Sequence, residues 1–228
     1  MLIKGLQKLT LLDYPSKVAC TVFTGGCNFR CPFCHNASLV THIDSECINE
    51  NEFFSFLKKR TGILEGVCIS GGEPTLQPDL EQFIIRIKDM EFSVKLDTNG
   101  YRPDILKNLC NKGLVDYVAM DIKNSPEKYA LTAGLDNFDF AKIEESASFL
   151  LNGDVDFEFR TTVVNEYHEE CDFAQIGKWL RSDAKYFLQS FIDSGDTIKT
   201  GLNPHSDENL GIFLNTLKTY MPNAQIRG

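Results

Sequence analysis

Cys27, Cys31 and Cys34 stand in the run Gly25-Gly26-Cys27-Asn28-Phe29-Arg30-Cys31-Pro32-Phe33-Cys34-His35-Asn36, a C-x3-C-x2-C spacing. Thiolates are soft donors that suit iron–sulfur clusters and zinc. Three of them can hold a cubane iron–sulfur cluster by three corners and leave its fourth iron open. An open coordination position separates a catalytic metal centre from a closed structural one. No fourth cysteine lies close enough in the chain to complete the set.

Other readings of these cysteines fit less well. A structural zinc site takes four ligands, often in two pairs. His35 adjoins Cys34, which makes tetrahedral chelation awkward, and His42 has no partner at ligand spacing. A disulfide would leave one cysteine over and needs an oxidising compartment. A redox pair formed by Cys31 and Cys34 alone would want a helix start and leaves Cys27 unexplained.

The elements that must position these residues follow from periodicity. Val18 to Thr24 reads as a buried strand entering the cysteine loop. Helix-like Asn51 to Arg60 is followed by the strand Val67 to Ser70. Helix Leu80 to Met90 precedes strand Ser93 to Asp97. Helix Pro103 to Lys112, with proline in its first turn, precedes strand Tyr117 to Ile122. Helix Phe140 to Leu151, strand Asp156 to Val164, helix Cys171 to Leu180 and strand Lys185 to Ser190 continue the alternation. Glu208 to Tyr220 closes as a helix, and Asn124 to Asp139 reads as an irregular loop region. About six strand–helix units predict an α/β fold, a parallel sheet or barrel.

In such folds ligands gather at the C-terminal ends of strands. The special residues fall there: the cysteines after the first strand, Ser70-Gly71-Gly72-Glu73-Pro74 after the second, and Asp97-Thr98-Asn99-Gly100 after the third. Asp121 and Lys123 end the fourth strand, and Arg160 lies in the fifth. The pattern predicts one shared site.

Size and composition limit the function classes. A chain of 228 residues predicts one domain with a substantial core. Hydrophobic content of 43% and charged content of 24% are ordinary for a soluble protein. No apolar run approaches the ~20 residues that span a bilayer. The start Met1-Leu2-Ile3-Lys4-Gly5 lacks the plan of a secretory signal, so a cytoplasmic location is expected. Net charge of −9 argues against a nucleic-acid partner. Lys58-Lys59-Arg60 is too short for a basic patch and reads as a helix C-terminus.

The cysteine run together with Gly71-Gly72-Glu73 resembles the radical S-adenosylmethionine enzymes, and the resemblance extends over essentially all of the chain. It implies a partial (β/α)6 barrel of TIM type, a single domain over residues 1–228. It also implies one [4Fe–4S] cluster on Cys27, Cys31 and Cys34, with S-adenosylmethionine chelating the open iron. One electron then cleaves the sulfonium to a 5′-deoxyadenosyl radical, which abstracts hydrogen from a substrate. Phe33, a tyrosine in many relatives, would shield the cluster or contact the adenine. Gly71 and Gly72 would line the methionine moiety, with Glu73 near its ammonium.

Asp97-Thr98-Asn99-Gly100 with Ala119-Met120-Asp121-Ile122-Lys123 resembles the glycyl-radical-enzyme activases, such as the pyruvate formate-lyase activating enzyme. There the matching oxygens hold a monovalent cation beside S-adenosylmethionine, which assigns Asp97, Thr98 and Asp121 to such a cation. The alternative is that Asp97 and Asp121 cap helices or pair with Lys123. Arg160 resembles an arginine that contacts S-adenosylmethionine. The stretch from Leu9 to Asn36 looks most like activating proteins of anaerobic ribonucleoside-triphosphate reductase. The resemblance implies a glycyl-radical-enzyme partner and a flavodoxin- or ferredoxin-type electron donor.

The remaining cysteines carry no pattern: Cys20 and Cys68 read as buried strand thiols, and Cys47, Cys110 and Cys171 are isolated. A single cluster is therefore expected. His168 and His205 lie in polar stretches and read as solvated, and Trp179 reads as core. Two other functions compete with an activase. One is a radical enzyme acting on a small molecule, with Asp193 to Arg227 as a loop-rich lid or docking edge. The other is a non-catalytic electron carrier or sensor, which would have no need of polar groups at later strand ends.

Overall fold

The computed structural model describes residues 1–41 and 46–227, so His42 lies outside the described residues. The chain forms two compact units interleaved in sequence. One comprises Met1–Asn28, Ser38–Thr98 and Arg102–Ala119. The other comprises Phe29–Ala37, Asn99–Tyr101 and the chain from Met120 onward.

In the first unit, strand β1 (Ile3–Thr10) runs antiparallel to β2 (Ala19–Thr24). Strand β3 (Gly66–Gly71) is parallel to β2, and β4 (Ser93–Thr98) is parallel to β3. A one-turn helix α1 (Ala37–Thr41) follows the cysteine loop. Helix α2 (Glu50–Lys58) starts at Asn49, whose side chain accepts from the Asn51 amide at 2.8 Å. Lys58 in its last turn and Lys59 at its cap suit the negative helix end, as the basic run predicted. Helix α3 (Leu80–Lys88) buries Leu80, Phe83, Ile84 and Ile87, one face of a 3.6-residue repeat. Helix α4 (Pro103–Asn111) buries Leu106 and Leu109. Phe53 and Phe83 stack with ring centroids 5.2 Å apart in this core. Each large side chain so buried contributes about 1.5–3 kcal/mol. Strand β5 (Tyr117–Asp121) contributes its first three residues to this unit and its last two to the other.

In the second unit, β6 (Asp156–Val163), β7 (Lys185–Ser190) and β8 (Ala224–Arg227) are parallel neighbours in that order. Helices α5 (Tyr129–Ala133), α6 (Phe140–Asn152), α7 (Glu170–Trp179) and α8 (Asp207–Lys218) belong to this unit. Phe173 of α7 stacks on Phe213 of α8 at 4.9 Å. Parallel strands alternating with helices make this an α/β fold, and the predicted strands and longer helices stand within two residues of their expected bounds.

Several expectations are corrected. The stretch Asn124 to Asp139 contains α5, which ends at Gly134 in the left-handed region. The edge from Asp193 to Arg227 is loop over its first part, through Ser206, as its polar runs predicted, and then holds α8 and the unforeseen short strand β8. Trp179 is only half-buried, its ring 5.0 Å from Phe140 at the end of α7. His168 is not solvated but fully buried. Its Nε2 lies 2.9 Å from the Lys123 carbonyl and its Nδ1 3.1 Å from the Val164 amide nitrogen. The polar sequence around it is exposed, but the imidazole turns inward to satisfy backbone groups.

Burial lowers the pKa of His168 below the ordinary imidazole value, against weaker upward pulls from its backbone partners and Asp172; His205 adds to the lowering. The native state therefore binds this proton less readily than the unfolded chain, which takes it up below pH ~6.5, so stability is lost as pH falls through that range. Between pH 7 and 5.5 this one group should remove at most about 1 kcal/mol of unfolding free energy. His168→Gln should be less stable at pH 8 but lose less across that interval, by up to about 1 kcal/mol. Urea titrations at the two pH values check this, and equal losses would contradict it.

Candidate functional site

In the first unit, β2 leads into Gly25, Gly26 and Cys27, and β3 ends beside them. The Gly72 amide donates to the Thr24 carbonyl at 2.9 Å, and the Glu73 amide to the Gly26 carbonyl at 2.8 Å. A Cβ on Gly72 would stand 2.0 Å from the Gly26 oxygen. Gly71, at φ 114°, lies in the region that favours glycine. The two glycines therefore let one strand end lie directly on the backbone that carries Cys27. Gly26 itself has φ 86° and donates to the Leu39 carbonyl at 2.8 Å.

Glu73 is fully buried. Its Oε1 accepts from the Thr75 amide at 3.1 Å and from the Thr98 hydroxyl at 2.8 Å. A buried carboxylate keeps its charge only with such donors. Thr98, expected toward a cation, thus gives its hydroxyl to Glu73. Asp97 accepts from the Ser70 hydroxyl at 2.9 Å and forms a short ion pair with Lys95. Lys95 is 1% exposed and was not picked out from the sequence. The signal was present: Lys-x-Asp on a strand places both side chains on one face.

In the second unit, the cysteine loop continues through Phe29, whose ring lies 5.4 Å from Tyr101 and 5.8 Å from Phe138. The Arg30 amide donates to the Ala133 carbonyl at 2.8 Å. The Cys34 amide donates to the Cys31 carbonyl at 3.0 Å, closing the turn that presents both thiols. Burial pushes the Cys31 thiol up to about 11, with Lys123 pulling the other way. Phe33 is buried with Val164, Phe191 and Leu202 and is a core residue of this unit. The segment from Ser194 to Lys199 fastens the loop. Lys199 donates its amide to the Pro32 carbonyl at 2.9 Å, Ser194 its hydroxyl to the His35 carbonyl at 3.2 Å, and the Ala37 amide reaches the Asp196 carbonyl at 3.2 Å.

Asp121 is paired twice, with Arg160 at 2.9 Å and with Lys123 at 3.0 Å. Burial would raise its carboxyl, but Arg160 and Lys123 outweigh it and hold the group down to about 2. Burial would lower Lys123, and Asp121 raises it instead. The sequence reading that Asp121 pairs with Lys123 is thus seen. The remaining cysteines divide as expected for Cys20 and Cys68, which are buried. Cys47 and Cys171 are exposed, and Cys110 is between.

The donor set fits an iron–sulfur cluster. Three thiols lie four and three residues apart in one short loop, and soft donors in that number leave one iron free. His35, the residue after Cys34, has its Nε2 buried with no hydrogen-bond partner among the described residues. An inorganic monovalent cation fits poorly. Each carboxylate meant for it already carries a side-chain cation, Lys95 on Asp97 and both Lys123 and Arg160 on Asp121.

The sequence profile described as Radical SAM superfamily matches residues 21–171, which contain all three cysteines. The chain belongs to the radical SAM superfamily. One relative within reach of it is a candidate glycyl-radical enzyme activating enzyme of Methanocaldococcus jannaschii. It is 32% identical over 207 residues, 83% of this chain and 80% of that protein. The 7-carboxy-7-deazaguanine synthase of Thermoplasma acidophilum is 25% identical over 181 residues, 78% of this chain and 81% of that one. Among solved structures, Streptococcus suis SuiB bound to precursor peptide SuiA matches with a TM-score of 0.71 at 13% identity, over 91% of this chain and 48% of that one. That likeness shows the fold: a radical SAM α/β fold with parallel strands. No helix among the described residues is long and apolar enough to cross a membrane.

Proposed function

We propose that this radical SAM protein reductively cleaves S-adenosylmethionine and uses the radical to install a glycyl radical on a partner enzyme of the anaerobic ribonucleotide reductase type. The observation that carries the first half is the set of three thiols in one braced loop with one ligand too few for a closed site. The second half is supported by the similarity to an activating enzyme and by the Asp97-Thr98 and Asp121-Lys123 patterns. A [4Fe–4S] cluster on Cys27, Cys31 and Cys34, when bound, supplies the electron that breaks the sulfonium bond. The electron would come from a flavodoxin- or ferredoxin-type donor.

The roles assigned to the chain's own groups are these. Gly71 and Gly72 keep the second strand end close to the Cys27 backbone and bring Glu73 with it. Glu73, held by Thr75 and Thr98, is the anion set for an ammonium such as that of the methionine moiety. Arg160 and Lys123, oriented by Asp121, are the cations set for a carboxylate. Phe33 excludes water behind the Cys34 turn.

A second reading, a radical enzyme on a small molecule, is favoured by the similarity to the deazaguanine synthase. One assay separates the two. Anaerobically reconstituted and reduced protein is given S-adenosylmethionine with and without candidate glycyl-radical enzymes, and 5′-deoxyadenosine and the electron paramagnetic resonance signal are recorded. A glycyl-radical doublet on one candidate supports the activase. Cleavage without that signal on any candidate moves the assignment to a small molecule. No cleavage at all would leave only an electron carrier or sensor.

A further inference from the structure

We propose that the ammonium of Lys95 is the resident cation of Asp97, so that this chain binds S-adenosylmethionine without an inorganic monovalent cation. This rests on the radical reading above and adds to it how one carboxylate of the site is neutralised.

Lys95 is placed for this by strand geometry. It stands two residues before Asp97 on β4, so the two side chains share a face. Its Cα partner across the parallel ladder is Cys68, and Lys95 Nζ lies 3.8 Å from Cys68 Sγ. Ser70, two residues on from Cys68 and therefore on the same face, donates its hydroxyl to the other oxygen of Asp97 at 2.9 Å. Of the four residues on this patch, Lys95 is the only cation, and it is 1% exposed.

A lysine buried to that degree needs an anion, and a largely buried carboxylate is stabilised by a cation. Each meets the other's need. An ammonium and a potassium ion carry the same charge and are of similar size, so Lys95 supplies what a bound potassium would. A second cation on the same carboxylate would be repelled by the first and would compete for its oxygens. A tethered ammonium also requires no cation from solution, so its occupancy does not depend on salt composition.

The test titrates reconstituted holoenzyme with S-adenosylmethionine in tetramethylammonium chloride and in potassium chloride at equal ionic strength, which keeps screening constant. The wild-type affinity should differ by less than about twofold between the salts. In Lys95→Met the carboxylate loses that ammonium and keeps the hydroxyl of Ser70. The affinity should fall about tenfold or more in tetramethylammonium and recover in potassium. A second readout needs no S-adenosylmethionine. The thermal midpoint of wild-type holoenzyme should be the same in both salts, whereas that of Lys95→Met should rise with potassium.

A wild-type affinity that strengthens about tenfold with potassium overturns the proposal. So does a Lys95→Met protein whose midpoint ignores potassium. If Lys95→Met fails to fold, the wild-type comparison decides alone. Absence of S-adenosylmethionine binding in both salts would defeat the radical reading instead, and the two midpoints would then decide whether Lys95 is the resident cation.

Discussion

Cys31→Ala should abolish both the cluster and S-adenosylmethionine cleavage while leaving the fold in place. The thiol is 7% exposed, so its removal trims one small group from the turn that Cys34 closes onto Cys31. Truncation of a buried side chain to alanine at so small a residue costs about 1 kcal/mol, within the reserve of a chain this size. The metal centre has no such reserve. Two thiols cannot hold a cubane that three hold with one corner already open. Iron content after reconstitution should fall to the background of non-specific binding, the broad visible absorbance should vanish, and 5′-deoxyadenosine should not form. Far-ultraviolet circular dichroism should match the parent. Retained cleavage would remove Cys31 from the ligand set.

Gly72→Ala should be strongly damaging for a single added methyl group. The added carbon would sit 2.0 Å from the Gly26 oxygen and 2.7 Å from its carbonyl carbon. Both belong to backbone held by hydrogen bonds, Gly26 to Leu39 and Glu73 to Gly26, so neither strand end can move without breaking one. Overpacking of this kind costs about 1–3 kcal/mol or more, which for a chain of this length lowers the thermal midpoint by about 3–10 °C. Iron loading should also fall, since the displaced backbone carries Cys27. Gly211→Ala is the control. Nothing lies within 4 Å of a Cβ there, and the position is helical, so alanine should stabilise by about 0.4–1 kcal/mol. A Gly72→Ala protein that melts like the parent would show that the two strand ends do not lie this close.

The alternation of strands and helices was readable because apolar period and length agree in each element. The parallel strands are short apolar runs, and α3 repeats Leu80, Phe83, Ile84 and Ile87 at helical spacing. Elements without such a signature were not foreseen. Strand β1, IKGLQKLT, buries only its two end residues and is set by its antiparallel partner β2. Strand β8 has four residues, and α1 and α5 have five each, too few for a period to show. At the candidate site the types were legible and the pairings were not. Asp97 and Asp121 were recognised as strand-end carboxylates, but which cation each holds is decided by side-chain packing. Lys95 looked like an ordinary strand residue. His168 sits among Tyr167, Glu169 and Glu170, and only tertiary folding turns its ring inward.

The bond between Ser194 and His35 joins residues 159 apart in the chain. During synthesis the cysteine loop therefore leaves the ribosome long before the segment that fastens it. At ~5–20 residues per second that interval is on the order of ten to thirty seconds. For that time Cys31 and Cys34 belong to a nascent chain whose clasp has not been made. A chain stalled short of Ser194 would keep the bond from Arg30 to Ala133 but lack the three later ones, so its cysteine loop would be braced on one side alone.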